Sequence, residues 1–257
     1  MAKDVETAEP LLLRRLGGAV ARLTLNDPAR ANALSSEMIA ALSQALGEAR
    51  ADPAVRVIVI AAAGRIFCAG HDLAELRASE DPAVHAALFD RCGALMTAIV
   101  ESPKPVIAQV AGAAVAAGCQ LVASCDLAYA ADTVRFAVSG INLGLFCSTP
   151  AVALSRAVRR KDALEMLLTG RFVGAAEATA MGLINRAVPA VDLDAVVEEA
   201  AQAIASKAPE AIALGKASFL RQHGLPLAEA YVAAGAAMVE NLALDCAKSG
   251  IDGFLKR

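Results

Sequence analysis

Aromatic side chains are scarce in this 257-residue chain, at 4% of positions, although hydrophobic residues make up 57%. A core with so few rings must be packed with Ala, Val, Leu and Ile. Charge of one sign is also lacking. A formal net charge of −3 leaves no basic face for nucleic acid and no strongly acidic character. No uninterrupted apolar stretch approaches the roughly 18–20 residues that a spanning helix needs, so no membrane partner is expected. The opening Met1-Ala2-Lys3-Asp4-Val5-Glu6 carries charges with no apolar run behind them, unlike a secretory signal, and its acids argue against a transit peptide. The six cysteines, Cys68, Cys92, Cys119, Cys125, Cys147 and Cys246, form no CxxC pair, which argues against a zinc site. They read as small buried hydrophobes in a reducing cytoplasm. GxGxxG, P-loop and HExxH patterns are absent, so neither a redox nucleotide nor a metal cofactor is implied. With only three histidines (His71, His85, His223) and no GxSxG elbow before them, a serine or cysteine hydrolase is a weak candidate.

What is present has the length for one large domain, or for one with an appendage. Leu11 to Asn26 reads as a hairpin around Gly17-Gly18. Ser35-Ser36 caps a helix through about Arg50, with Met38, Ile39, Leu42 and Leu46 on one face. Val55 to Ala62, Val106 to Ala111 and Leu127 to Ala131 are apolar strands. Ala83 to Glu101 is helical and ends before Pro103. Gly118 to Ser124 is a buried helix. From about Ala151 the pattern is mainly helical, with Val188 to Asp192 as a short connection, amphipathic segments at Leu193 to Ala205 and Pro209 to Arg221, and a long Ala-rich helix at Leu227 to Leu244. Repeated strand-strand-helix units suggest stacked turns of sheet.

Two segments stand out: Phe67-Cys68-Ala69-Gly70-His71-Asp72-Leu73 and Gly112-Ala113-Ala114-Val115-Ala116-Ala117-Gly118-Cys119-Gln120-Leu121. Each follows an apolar run, turns on small residues and enters a helix. Read alone, each is a tight turn, with Asp72 as a helix cap. Small residues also let another molecule approach the backbone, and the first N–H groups of a helix have no internal partner. Two such groups aimed at one point form an oxyanion hole.

This pairing resembles the crotonase family, the enoyl-CoA hydratase/isomerase superfamily. The resemblance extends through Leu23-Thr24-Leu25-Asn26-Asp27-Pro28, Asn32-Ala33-Leu34-Ser35, Val57-Ile58-Val59-Ile60, Pro103-Lys104-Pro105-Val106-Ile107-Ala108, Cys125-Asp126-Leu127-Ala128-Tyr129-Ala130, Leu168-Thr169-Gly170-Arg171 and Met181-Gly182-Leu183-Ile184. It implies an α/β crotonase fold, with a spiral core over residues 1–192 and a helical oligomerisation region over 193–257. It implies an acyl-CoA substrate, coenzyme A entering as part of that substrate and no separate cofactor. A homotrimer, often paired into a hexamer, is also implied. The carried-over oxyanion donors are the amides of His71 and Ala117. The latter requires negative φ at an alanine where many relatives have glycine. The His71 side chain itself is expected to face solvent or satisfy a nearby backbone group. Coenzyme A contacts carry over to Ala69, Gly70, Asp72, Leu73 and Gly118, to Arg30 near the phosphates, and to Phe254, Lys256 and Arg257 at the C-terminus.

The chain departs from hydratases at two positions. Where they keep two glutamates to hold and activate water, it has Gln120 and Gly140. Gln120 accepts hydrogen bonds but no proton at neutral pH, and Gly140 has no side chain. A general acid or base is worth about 10²–10⁴ in rate, so a hydratase-like lyase is implied but ordinary hydration is not. In this respect the chain resembles the hydratase domain-containing subgroup known from mitochondria. Isomerisation, decarboxylation, thioester hydrolysis or acyl-CoA binding without turnover are the alternatives. Ser139, Asn142, Cys147, Ser148 and Glu75 are the candidate substitutes. Cys147 itself reads first as a buried thiol before a helix cap.

Overall fold

A computed structural model describes residues 9–256. The hairpin forms as expected, with β1 (Leu12–Gly17) antiparallel to β2 (Val20–Leu25). α1 (Ser36–Ala51) starts where Ser35 Oγ accepts the Met38 amide at 3.2 Å, and it buries Met38, Ile39, Leu42 and Leu46. The chain then alternates between two sheets. β3 (Val57–Ala62) joins the large sheet and β4 (Ile66–Cys68) the small one, before α2 (Leu73–Arg77) and α3 (Pro82–Val100). β5 (Val106–Val110) and β6 (Ala113–Val115) repeat this division before α4 (Ala117–Ser124). β7 (Leu127–Ala131) and β8 (Arg135–Ala137) do so again before α5 (Ser148–Ala157) and α6 (Arg160–Thr169). β9 (Val173–Gly174), α7 (Ala175–Met181) and β10 (Arg186–Val188) complete the sheets. The large sheet runs β1-β2-β3-β5-β7-β10 and the small one β4-β6-β8-β9. This is the spiral of the crotonase fold.

Parallel pairing in the small sheet positions the site. β4 pairs with β6, and β6 with β8, so the C-terminal ends of three successive strands lie side by side. The segments leaving those ends, at Ala69, Ala116 and Val138, therefore converge. These strands are only three residues long. β4 and β6 were not visible as periodic patterns, because three residues carry too little alternation.

The structure adds to three expectations. α8 (Leu193–Ala205) is part of the core, since Leu193, Val197, Ala201 and Ala205 are buried and α8 packs on β3, β5 and β7. α8 therefore packs with the sheet, unlike the helices that follow it. The amphipathic period gave α8 as a helix but not what it packs against. Val188 belongs to β10 and pairs with Ala131, so the connection is shorter than Val188 to Asp192. By length and composition α3 is apolar enough to cross a membrane, but Leu88, Cys92, Leu95 and Ile99 lie in the core.

Beyond α8 the surface changes. In α9 (Pro209–Gln222), α10 (Leu227–Ala243) and α11 (Asp245–Leu255), the one buried residue is Ala230. Phe219, Leu227, Tyr231, Val232, Val239 and Phe254 are all more than 60% exposed.

Candidate active site

A cavity of about 430 Å³ opens where the three strand ends converge. One wall is made by Ala69, His71, Leu73 and Leu76, by Val115, Ala116 and Ala117, and by Phe89 of α3. The facing wall comes from the segment after β8, including Ser139, Gly140, Leu143, Leu145, Phe146, Cys147 and Ser148.

The first wall is held by backbone. Gly70 adopts φ +98°, and a Cβ placed there would lie 2.9 Å from Ala116 Cβ and 3.3 Å from Ala117 N. Glycine at this position therefore lets the two loops touch. The Leu34 amide donates to Gly70 O at 2.7 Å, and the Ala69 amide to Ala31 O at 3.1 Å. Asp72 Oδ1 accepts the amides of Ala74 and Glu75 at 2.9 and 3.3 Å, capping α2. Glu75 accepts the Ser36 amide at 2.8 Å at the start of α1. The fully buried Asn32 pins the approach to β4, donating to Ala63 O and Ile66 O at 2.8 and 2.7 Å. Its importance was not legible beforehand, although a polar residue tolerant of left-handed backbone is the right signal for its φ of 52°.

The second loop carries strain. Ala116 sits at φ 49°, ψ −117°, a conformation that alanine rarely adopts. Its amide donates to Ala137 O at 2.8 Å, which holds the turn against β8. That turn makes Ala117 the first residue of α4, with helical backbone, as its carried-over role required. α4 has no side-chain cap, and the hydrogen bonds of the described residues engage neither the Ala117 nor the His71 amide. Two unoccupied donors thus border one cavity.

Several carried-over residues lie elsewhere. A Cβ on Gly118 would fall 2.2 Å from Cys68 O, so this glycine lets α4 pack on β4, and it is not part of the cavity wall. Arg30 pairs with Asp27 at 2.7 Å and with Asp72 at 3.6 Å, outside the wall. Asp72 is occupied as a cap. Phe254 and Lys256 are exposed and do not line the cavity of this chain. Arg257 lies outside the described residues.

The two departures also resolve differently from expectation. Gln120 is 4% exposed, its Oε1 has no partner, and it does not line the cavity. Gly140 does line it, but a Cβ there would meet Leu145 O at 2.5 Å and Cys147 Sγ at 2.7 Å. The space a side chain would need is filled. The Gly140 amide donates to Cys147 Sγ at 3.3 Å. Burial pushes the Cys147 thiol up, against a smaller lowering from that amide. Of the other candidates, Ser139 and Ser148 line the wall, while Asn142 packs near Gly170 and Glu75 caps α1.

The His71 side chain does not form the expected hydrogen bond to a nearby backbone group through Nε2. His71 is among the residues lining the cavity, and its ring stands edge-on to Phe89, with centroids 5.2 Å apart and planes at 88°. Its Nε2 is buried without a hydrogen-bond partner. Burial lowers its pKa, and the charge of Glu75 opposes this. Sequence gave no direction for this ring, because that depends on α3 arriving from elsewhere in the chain.

The family model described as "Enoyl-CoA hydratase/isomerase" matches residues 15–257. Mouse (Mus musculus) "Enoyl-CoA hydratase domain-containing protein 3, mitochondrial" is 46% identical over 253 residues, covering 98% of this chain and 84% of the relative. The human protein of the same name is 45% identical over 249 residues, covering 96% and 82%. Among solved structures, an enoyl-CoA hydratase of Mycobacterium smegmatis superposes with a TM-score of 0.94 at 51% identity, covering 96% of this chain and 97% of that one. Human enoyl Coenzyme A hydratase domain-containing protein 3 also superposes at 0.94, with 43% identity and coverage of 96% and 98%.

Proposed function

The chain belongs to the enoyl-CoA hydratase/isomerase family, and on that premise we propose that it binds an acyl-CoA thioester and stabilises the thioester enolate with the His71 and Ala117 amides. The observation that carries this reading is the pair of unoccupied donors bordering one largely apolar cavity. As negative charge grows on the thioester oxygen, two fixed N–H groups in an apolar setting lower its energy without reorganising. Leu73, Leu76, Phe89 and Val115 supply apolar surface for the acyl chain. A role in fatty-acid or acyl-CoA metabolism follows from that substrate class.

Ordinary hydration fits poorly, because among the described residues no carboxylate lines the cavity to activate water. Isomerisation, decarboxylation, thioester hydrolysis and binding without turnover remain on the same scaffold. Calorimetry with a panel of acyl-CoA thioesters, run beside turnover assays, tests the reading. Micromolar binding with crotonyl-CoA hydrated far more slowly than by ordinary enzymes is the expected result. Failure to bind any acyl-CoA would overturn it.

The exposed apolar side chains of α9–α11 support the homotrimer or hexamer that the family resemblance implies. Light scattering that shows only monomer at micromolar concentration would refute that assembly. Free cysteines throughout support a reducing compartment, with the cytoplasm as the proposed one. The mitochondrial names belong to the vertebrate relatives, and fractionation of the native host decides.

A further inference from the structure

We propose that Asn32 is the positioning residue of the oxyanion site: its side chain fixes the short segment that sets the direction of the His71 amide. The inference rests on the acyl-CoA reading above.

The His71 amide owes its direction to residues 31–34. The Ala69 amide donates to Ala31 O at 3.1 Å, and the Leu34 amide donates to Gly70 O at 2.7 Å. Leu34 and His71 then pair as an isolated parallel bridge. Gly70 O and the His71 N–H belong to one planar trans peptide group, in which the two point opposite ways. With Gly70 O held by the Leu34 amide, the His71 N–H faces away from Leu34 and stays free for a ligand. A single hydrogen bond from residues 31–34 thus sets the plane of the peptide that carries the donor. The same peptide lies against the second loop, since a Cβ on Gly70 would fall 3.3 Å from Ala117 N.

Asn32 sits inside this segment and is fully buried. Its Nδ2 donates to Ala63 O and Ile66 O at 2.8 and 2.7 Å, and its Oδ1 accepts the Asp27 amide at 2.8 Å. Two acceptors and one donor admit one orientation of a carboxamide. Neither an aspartate nor a leucine of similar size serves all three. The Asn32 amide also donates to Asp27 O at 2.8 Å, closing the loop from residue 27 to 32. The turn between β3 and β4 rests on that loop, because a Cβ on Gly64 would lie 2.7 Å from Pro28 Cβ. One residue therefore links the two ends of β4: Ile66 at its start through the side chain, and Ala69 and Gly70 past its end through the neighbouring backbone.

The arrangement is held under strain. Ala31 and Asn32 are both left-handed, at φ 53° and 52°, and such backbone persists where its surroundings over-determine it. Fixed donors are what charge stabilisation on an oxyanion requires, because they need not reorganise as charge grows. Losing the Asn32 side chain frees the Gly70–His71 peptide plane to rotate, which weakens polarisation of the carbonyl while the remaining contacts still bind the ligand.

The test uses butyryl-CoA labelled with ¹³C at the thioester carbonyl, followed by carbon NMR, with calorimetry and denaturant titration on the same samples. Donation to the carbonyl oxygen withdraws electron density from the carbon, so binding to wild type should move its signal downfield. Asn32→Gly suits the left-handed backbone and removes the three side-chain bonds. It should lose most of that shift and bind butyryl-CoA within a few-fold of wild type. Asn32→Asp, which cannot donate to the two carbonyls, should lose it as well. Leu46→Ala, a buried position further along α1, should also cost stability but keep the shift. Should the Asn32 variants fold poorly, hydrogen exchange of the ligand-free wild type decides. Its Leu34 and Ala69 amides should be protected as strongly as those of β3. A full shift in Asn32→Gly, a shift lost equally in Leu46→Ala, or rapid exchange at Leu34 and Ala69 would each overturn the inference and leave the acyl-CoA reading standing. Absence of butyryl-CoA binding in wild type, or binding without a downfield shift, would overturn both.

Discussion

The two walls of the cavity are built in opposite ways. On one, the working groups are backbone amides, and the side chains around them are as small as the chain allows. Gly70 at φ +98° and Ala116 at φ 49° bring the loops into contact, and Gly118 seats α4 on β4. On the other wall a catalytic side chain would have to come from residue 140, and that place is closed. Cys147 Sγ and Leu145 O occupy the volume that a Cβ would need. On the proposed reading, the comparison separates charge stabilisation by backbone amides from proton transfer by carboxylates, of which the described cavity lining has none. Gly140 differs from a hydratase glutamate in more than residue type, because the space its side chain would need is filled.

The comparison breaks most sharply at Ala117. Replacing it with proline deletes one donor at a helix position where proline is tolerated. Turnover should fall about 10²–10³-fold, equivalent to about 2.7–4 kcal/mol of transition-state stabilisation. The assay is run beside circular dichroism. Full activity in a folded variant would remove the Ala117 amide from the site.

The opposite wall is tested by trying to restore what it lacks. Gly140→Glu should lose about 1–3 kcal/mol of stability in denaturant titrations, because it overpacks the contact with Leu145 and Cys147. Combined with Gln120→Glu it should not raise crotonyl-CoA hydration, since residue 120 stands off the wall. A stable double variant turning over at about 1–10³ s⁻¹, as ordinary enzymes do, would show that the wall yields.

Two smaller changes sharpen the picture of the first wall. Gly70→Ala places a side chain at positive φ against Ala116 and should cost about 1–3 kcal/mol, with a matching loss of activity as the loops separate. Ala116→Gly should do the reverse. Relief of left-handed strain outweighs the entropy of the added glycine, for a net gain of about 0.5–1 kcal/mol in thermal or denaturant melts. A loss of stability there would mean that the Ala116 methyl group contributes more through packing than its backbone costs.

Much of the architecture was legible before any coordinates. The cap at Ser35, the β-branched run at Val57–Ala62 and the strand at Leu127–Ala131 are local signals, and the elements formed within a residue or two of them. The loops carrying His71 and Ala117 were legible for the same reason. A sharp turn into a helix needs small residues in sequence order, and the amide moves with the backbone. What local pattern does not hold is the company a side chain keeps. α8 was read correctly as a helix, but the strands it packs on lie far away in sequence and were not legible. Gln120 and Gly140 were correctly seen as departures, but only the fold put the first behind the wall and closed the second. The His71 ring acquired its place from Phe89 on α3, eighteen residues on. Sequence by itself determined the strand-strand-helix units and, through the resemblance carried by its two small-residue loops, the family and the candidate amides, because turns and helix entries follow from near-neighbour chemistry. Tertiary structure alone decided which side chains face the cavity, which space is already filled and which buried atom is left without a partner, because these depend on contacts between segments distant along the chain.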